Sequence, residues 1–211
     1  MLIESTLCLA AQEIVTIQSR YASNGLGLCK VALCGSGEFK EWEHYPKNDL
    51  IDGQSGYEFY YHSHSSNEMP DGEHGHFHLF KRVNRTPSQF HHLIAISLDH
   101  KGLPIRIFTT NQWVTGEQWI SADQTLGLLK DFDMAVKGRM APLARWVSAF
   151  TKLFYVDMQD LIIQRDGVMS NLSTQLGNPE LAFNARDRHV LTEKKIDLLG
   201  RLSEHLSIVH S

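Results

Sequence analysis

The segment Tyr60-Tyr61-His62-Ser63-His64, followed after a turn by His74-Gly75-His76-Phe77-His78-Leu79-Phe80, constrains this chain more than any other. Alternate side chains of a strand share a face, so His62 and His64 point one way together, as do His74, His76 and His78. Pro70-Asp71-Gly72 supplies the turn chemistry that joins two such strands into a hairpin. A register centred near residue 70 sets His64 opposite His76, His62 opposite His78 and Tyr60 opposite Phe80. Directly opposed Cβ atoms lie about 4.5–5.5 Å apart, close enough for imidazoles to converge on one ion. A slip of one residue would scatter the histidines onto both faces; a slip of two would not.

Such a hairpin predicts a metal site. Neutral imidazole is a good ligand for zinc, iron, nickel or copper, and with an ordinary pKa near 6.5 it gives up little at neutral pH. The expected ligands are His62, His64, His76 and His78, holding a divalent transition metal, with zinc or iron first in order. Three histidines plus an open position make a catalytic type of site; four make a closed, structural one. Glu73 is the expected acid/base group on a bound water, with Glu68 as the other nearby carboxylate. The competing expectation is a polar histidine layer without metal, on a non-catalytic module that binds a small ligand or a protein. A pH-responsive cluster is a third reading, since crowded imidazoles repel one another once protonated.

The rest of the chain reads as α+β, one domain over 1–211. Leu7, Ala10, Ala11, Ile14, Ile17 and Tyr21 recur at helical spacing before Asn24-Gly25, which makes 1–37 a helical segment expected to lie against a sheet. Cys29 to Cys34 fits a helical turn or a strand equally. From about 42 to 119 the pattern is β, with at least four antiparallel strands, because the connections are too short for crossover helices. Residues 120–211 return to helix. Ser121-Ala122-Asp123-Gln124 is a capping box, Pro142 suits a first turn, and Leu143 to Ile162 presents one long apolar face. Asp166 to Arg188 reads as a polar loop, and Ile196, Leu199, Leu202 and Leu206 as a last helix. Helices from both ends are expected on one face of the sheet and the histidines on the other.

Two resemblances follow from the motifs. Gly56-x5-His62-x-His64-x3-Glu68-x6-Gly75 is similar to the first cupin motif, which implies His62, His64 and Glu68 as metal ligands on a small β-barrel. The second motif of that family has no counterpart downstream, Pro87 and Pro104 having the wrong neighbours. A closer likeness is to an uncharacterised bacterial family of unknown function. It is carried by Trp42-Glu43-His44-Tyr45-Pro46, Tyr60-Tyr61-His62-x-His64, Glu73-His74-Gly75-His76-Phe77-His78 and Thr109-Thr110-Asn111-x-Trp113-Val114-Thr115-Gly116-Glu117. That resemblance implies no activity.

Other classes are disfavoured. The net charge is −4 and no basic stripe is present, so no nucleic-acid partner is expected. Three cysteines, an odd count without a C-x-x-C pair, argue against a disulfide framework. No basic leader or apolar run of spanning length is evident, so no membrane association is expected and the location reads as cytoplasmic. No Gly-x-Ser-x-Gly elbow or phosphate-cradling glycine loop occurs. His91-His92 reads as one surface and one sheet position. Trp42 to Pro46 reads as an aromatic edge over the sheet, with His44 as the best extra ligand from outside the hairpin.

Overall fold

In a computed structural model of the chain, residues 2–36, 39–64, 70–83 and 89–206 are described. Two helices come first, α1 (Leu2–Ala22) and α2 (Leu28–Ala32). Five strands follow: β1 (Tyr45–Ile51), β2 (Tyr57–His62), β3 (Glu73–Arg82), β4 (Phe90–Asp99) and β5 (Pro104–Thr110). Then come the one-turn α3 (Gln112–Thr115), α4 (Ala122–Lys130), α5 (Ala141–Leu153), α6 (Tyr155–Leu176) and α7 (Pro179–Phe183). A late strand β6 (Val190–Lys195) and α8 (Leu198–Leu206) complete the order. The fold is α+β. Its strands form one antiparallel sheet in sequence order, β1 to β6, with β1 and β6 at the edges. The barrel implied by the cupin-like spacing is therefore not what these residues build, and Glu68 lies outside the described residues.

One face of the sheet is apolar because the odd positions of β2 and β3 are. Phe59, Tyr61, Phe77 and Leu79 are wholly buried there, with Ile94, Ile96 and Ile107 from β4 and β5. α5 and α6 cover that face. Phe77 meets Trp146 at 6.4 Å between ring centroids, and the Thr192 hydroxyl donates to Leu161 O. Each such buried aromatic contributes roughly 1.5–3 kcal/mol of transfer free energy. α1 buries Ala10, Ala11, Ile14 and Ile17, but packs chiefly on α5 and α8 rather than on the sheet. Of the segment from Cys29 to Cys34, the part up to Ala32 is helix, in α2, and a turn follows.

Two helical boundaries differ from expectation. The apolar face from Leu143 to Ile162 belongs to two helices, broken at Phe154, whose ring stacks on Phe150 at 4.6 Å. Most of the expected loop from Asp166 to Arg188 is helix, because α6 runs on to Leu176 and α7 follows. Within α6, Val156 and Ile163 are exposed while Asp157 and Arg165 are buried beside Met158, Leu161, Ile162 and Met169. Arg165 is satisfied by Asp166 and Ile120 O and lies over the Trp119 ring. Asp157 takes Lys194 and Arg201. No helix of the described residues is long and apolar enough to cross a membrane.

Candidate metal centre

The opposite face of the sheet carries the histidines. β2 and β3 pair with His62 opposite His76, Tyr61 opposite Phe77 and Tyr60 opposite His78. The expected pairs His64–His76, His62–His78 and Tyr60–Phe80 are thus displaced by two residues. An even displacement keeps every side chain on its own face. His64 lies beyond the end of β2, its ring 4.9 Å from that of His62, 5.2 Å from that of His76 and 4.3 Å from that of Trp42.

Between β3 and β4 alternation is broken at two places, and each break brings a polar partner to this face. Between Glu73 and Gly75 the register with β4 shifts, leaving His74 as an extra residue on β3. Such a bulge rotates what precedes it. His74, expected beside His76 and His78, turns to the other face, where the Tyr61 hydroxyl oxygen lies 2.8 Å from its Nδ1. Glu73 takes its place among the histidines. A Cβ on Gly75 would come within 2.6 Å of His62 O, so the bulge needs glycine there. The second shift, between Leu79 and Phe80, leaves Leu93 extra on β4 and sets His92 opposite Phe80.

The result is a buried cluster. His62, His76 and His78 each offer a ring nitrogen, all three within 4.8 Å of one another. Nε2 of His62 and Nε2 of His76 face each other at 2.9 Å. Nδ1 of His76 lies 2.7 Å from Oε1 of Glu73, whose Oε2 accepts from Nη2 of Arg106 at 2.7 Å. Arg106 spans on to Glu193 and stacks over the Phe108 ring. Nδ1 of His78 lies 2.9 Å from Nε2 of His92.

Burial governs the protonation of the cluster. It pushes the His62 imidazole down to about 2, helped by His76, His64 and His44. The wholly buried His78 lies well below the ordinary range for the same reason, with His76 and His92 adding to it. For Glu73, burial acts to raise the carboxyl, but the His76 hydrogen bond and the Arg106 charge outweigh it and hold the group low. His62 and His78 are therefore neutral imidazoles, the state a metal ion requires of its ligands, and the carboxylate beside His76 is anionic.

A cavity of about 120 Å³ opens beside His76 and His78. Phe108, Thr110, Val114 and Val190 line it, with His64 and the exposed His189 at its border. The sequence therefore placed His62, His76 and His78 together correctly, with His64 alongside, and Glu73 touches His76. It set His92 aside, although His92 is buried against His78. Only a sequence signal for the Leu93 bulge would have found it. His44 is bonded to Asp49 at 2.9 Å and stacked on Tyr60 at 3.6 Å, with its ring 5.8 Å from that of His62. Tyr45 of the same motif is buried against Phe39, while Trp42 is exposed.

Residues 8–196 match a protein family described as a domain of unknown function (DUF6969). No curated protein and no solved structure matches the chain.

Proposed function

The chain belongs to this family of unknown function, and we propose that it is a metal-binding protein in which His62, His76 and His78 hold one divalent transition ion. The observation that carries this reading is the convergence of three ring nitrogens within 4.8 Å, with burial keeping His62 and His78 unprotonated.

The residues fit such an ion. Two nitrogens bound to tetrahedral zinc at about 2.0–2.1 Å stand roughly 3.3 Å apart. The His62 and His76 nitrogens, at 2.9 Å, need to part by only a few tenths of an ångström. Their facing lone pairs cannot both stay bare without a proton or a cation between them. An all-imidazole donor set suits zinc or iron, and nickel or copper after them. When bound with an open position, such an ion supplies a Lewis acid and acidifies a coordinated water.

The cavity beside His76 and His78 supports an open fourth position and a ligand of only a few non-hydrogen atoms, with apolar flanks at Phe108, Val114 and Val190. This makes a metal-dependent enzyme acting on a small molecule the favoured form of the proposal. Glu73 has both oxygens engaged, so its contribution in this geometry is to orient His76. The acid/base role suggested by its position in sequence requires it first to release His76 or Arg106. The second reading, a closed site that serves binding or structure alone, draws on His64, whose ring stands 4.9 Å from that of His62 and would close the set by turning inward.

The test is elemental analysis of protein purified without a histidine tag, at neutral pH and free of chelator. Near-stoichiometric zinc, iron, nickel or copper is expected. Protein that carries no metal and takes up none would reduce the cluster to a polar histidine layer.

A further inference from the structure

The motif Thr110 to Glu117 has no part in the ligand set, yet both of its ends close on one residue. β5 ends at Thr110, and Asn111 caps α3 by accepting from the Gln112 N–H while its amide donates to Ala182 O. Gly116, at φ +69, stops the helix after one turn and sends the chain back across the histidine face. The Glu117 carboxyl group then accepts from the backbone N–H of His92 at 2.7 Å. From the other side, the Thr110 hydroxyl lies 3.2 Å from Nδ1 of His92. His92 is thus held at its backbone and at one ring nitrogen, and its remaining nitrogen, Nε2, lies 2.9 Å from Nδ1 of His78.

This chain of hydrogen bonds can run in two directions. In one, the Thr110 hydroxyl donates to Nδ1 of His92, Nε2–H of His92 donates to His78, and the proton of His78 sits on Nε2. That leaves His78 no lone pair for an ion. In the other, Nδ1–H of His92 donates to Thr110 and Nδ1–H of His78 donates to Nε2 of His92. Nε2 of His78 is then bare.

We propose that His92 is a positioning residue of the metal centre, holding His78 in the tautomer that leaves Nε2 free for the ion, with Thr110 and Glu117 fixing His92 for that purpose. The inference rests on the metal-binding reading and extends it. It gives two of the three ligands a buried partner at the far nitrogen: a carboxylate, Glu73, behind His76 and a neutral imidazole, His92, behind His78. Partners of this kind fix ring orientation, and removing one typically weakens metal affinity about 10–100-fold.

The experiment titrates zinc into the full-length, tag-free protein against a chromophoric chelator, for wild type, His92→Leu, His92→Gln and His91→Leu. The His92→Leu side chain has no acceptor for His78, and that variant should bind zinc about 10–100-fold more weakly. In His92→Gln a carbonyl oxygen can stand where Nε2 stands, so this variant should recover most of the loss, and His91→Leu should match wild type. Equal weakening by His92→Leu and His92→Gln would reduce His92 to a packing residue and overturn the proposal, as would wild-type affinity in His92→Leu. A wild type that binds none of zinc, iron, nickel or copper would overturn this inference and the metal reading together, whereas a wild type that binds the ion with no effect of His92→Leu overturns this inference alone. Should His92→Leu not fold, nitrogen NMR of the zinc-loaded wild type decides: Nδ1 of His92 is expected to be protonated and Nε2 bare, and the reverse tautomer overturns the proposal.

Discussion

Glu73 and His76 stand three residues apart on β3, a spacing that strict alternation assigns to opposite faces, yet Oε1 of the one lies 2.7 Å from Nδ1 of the other. The bulge at His74 makes the meeting possible. Glu73 is almost wholly buried, with 1% of its side chain exposed, and it neutralises Arg106 as well as orienting His76. Breaking a buried pair strands its partner, which typically costs about 3–5 kcal/mol. Glu73→Ala should therefore lose roughly that much stability and about 10–100-fold in metal affinity. Urea unfolding and chelator competition measure the two effects separately. Undiminished stability would mean that Arg106 finds full compensation in Glu193.

The ligand assignment makes a sharper prediction. His62→Ala and His76→Ala should each abolish metal content, whereas His205→Ala, on α8, should keep it. Stoichiometric metal in the His62/His76 double variant would defeat the assignment. Because an ion that binds only the folded chain stabilises it by mass action, about 2.7 kcal/mol at a hundred times Kd, zinc should also raise the melting temperature of wild type but not of these variants. A thermal melt with and without zinc reads this directly.

How much of this was visible in the residues themselves depends on whether local alternation held. The hairpin was readable because Tyr60, His62, His76 and His78 keep period two, and a two-residue error in register left them together. Glu73 and His92 escape that pattern because bulges at His74 and Leu93 rotate them onto the face, and nothing in alternation marks an extra residue. The helix beyond Asp166 was hidden for another reason. From Asp166 to Leu176 only Met169 is buried, so no apolar stripe marks the turns that carry α6 onward. β6 was hidden as an edge strand, with exposed Glu193, Lys194 and Lys195 and only β5 as its neighbour.

Gly75 offers a test of the bulge itself. A methyl group there would come within 2.6 Å of His62 O and 2.7 Å of the Tyr61 hydroxyl oxygen, and the first of these is backbone that cannot swing aside. Gly75→Ala should cost about 1–3 kcal/mol by overpacking and should weaken metal binding by displacing His62. Gly138→Ala and Gly127→Ala separate crowding from conformation: both meet open space, but Gly138 has φ +83 and should lose stability, whereas Gly127, in α4, should not. Urea midpoints for the three variants check this. An unaffected Gly75→Ala would show that β2 and β3 can separate at this point without penalty.

The pH dependence of the metal-free protein follows from groups that fold into the wrong environment for their charge. His62 is pushed down to about 2 and His92 to about 3, chiefly by burial, and His78 lies well below its ordinary value. In the unfolded chain each returns to about 6.5. Below that pH the unfolded state takes up protons that the folded state refuses, so the stability these groups permit is fully present above about 6.5 and lost as pH falls toward the folded values. One unit below, at pH 5.5, each such group costs roughly 1.4 kcal/mol. Glu117 acts with the opposite sign. Burial raises its carboxyl to about 8, against the His92 N–H and the Arg165 charge, so the folded state keeps a proton that the unfolded chain releases at about 4.3. Its contribution is fully present below about 4.3 and lost as pH rises through about 8. Stability of chelator-treated protein should therefore fall on both sides of a maximum. Glu117→Gln, which keeps a carbonyl for the His92 N–H, should flatten the alkaline side and steepen the acid side, where the Glu117 contribution opposes that of the histidines. Urea midpoints from pH 5 to 9 decide it: an acid limb that is missing would mean the histidines take up protons in place, and an alkaline limb unchanged by Glu117→Gln would assign that slope to another group.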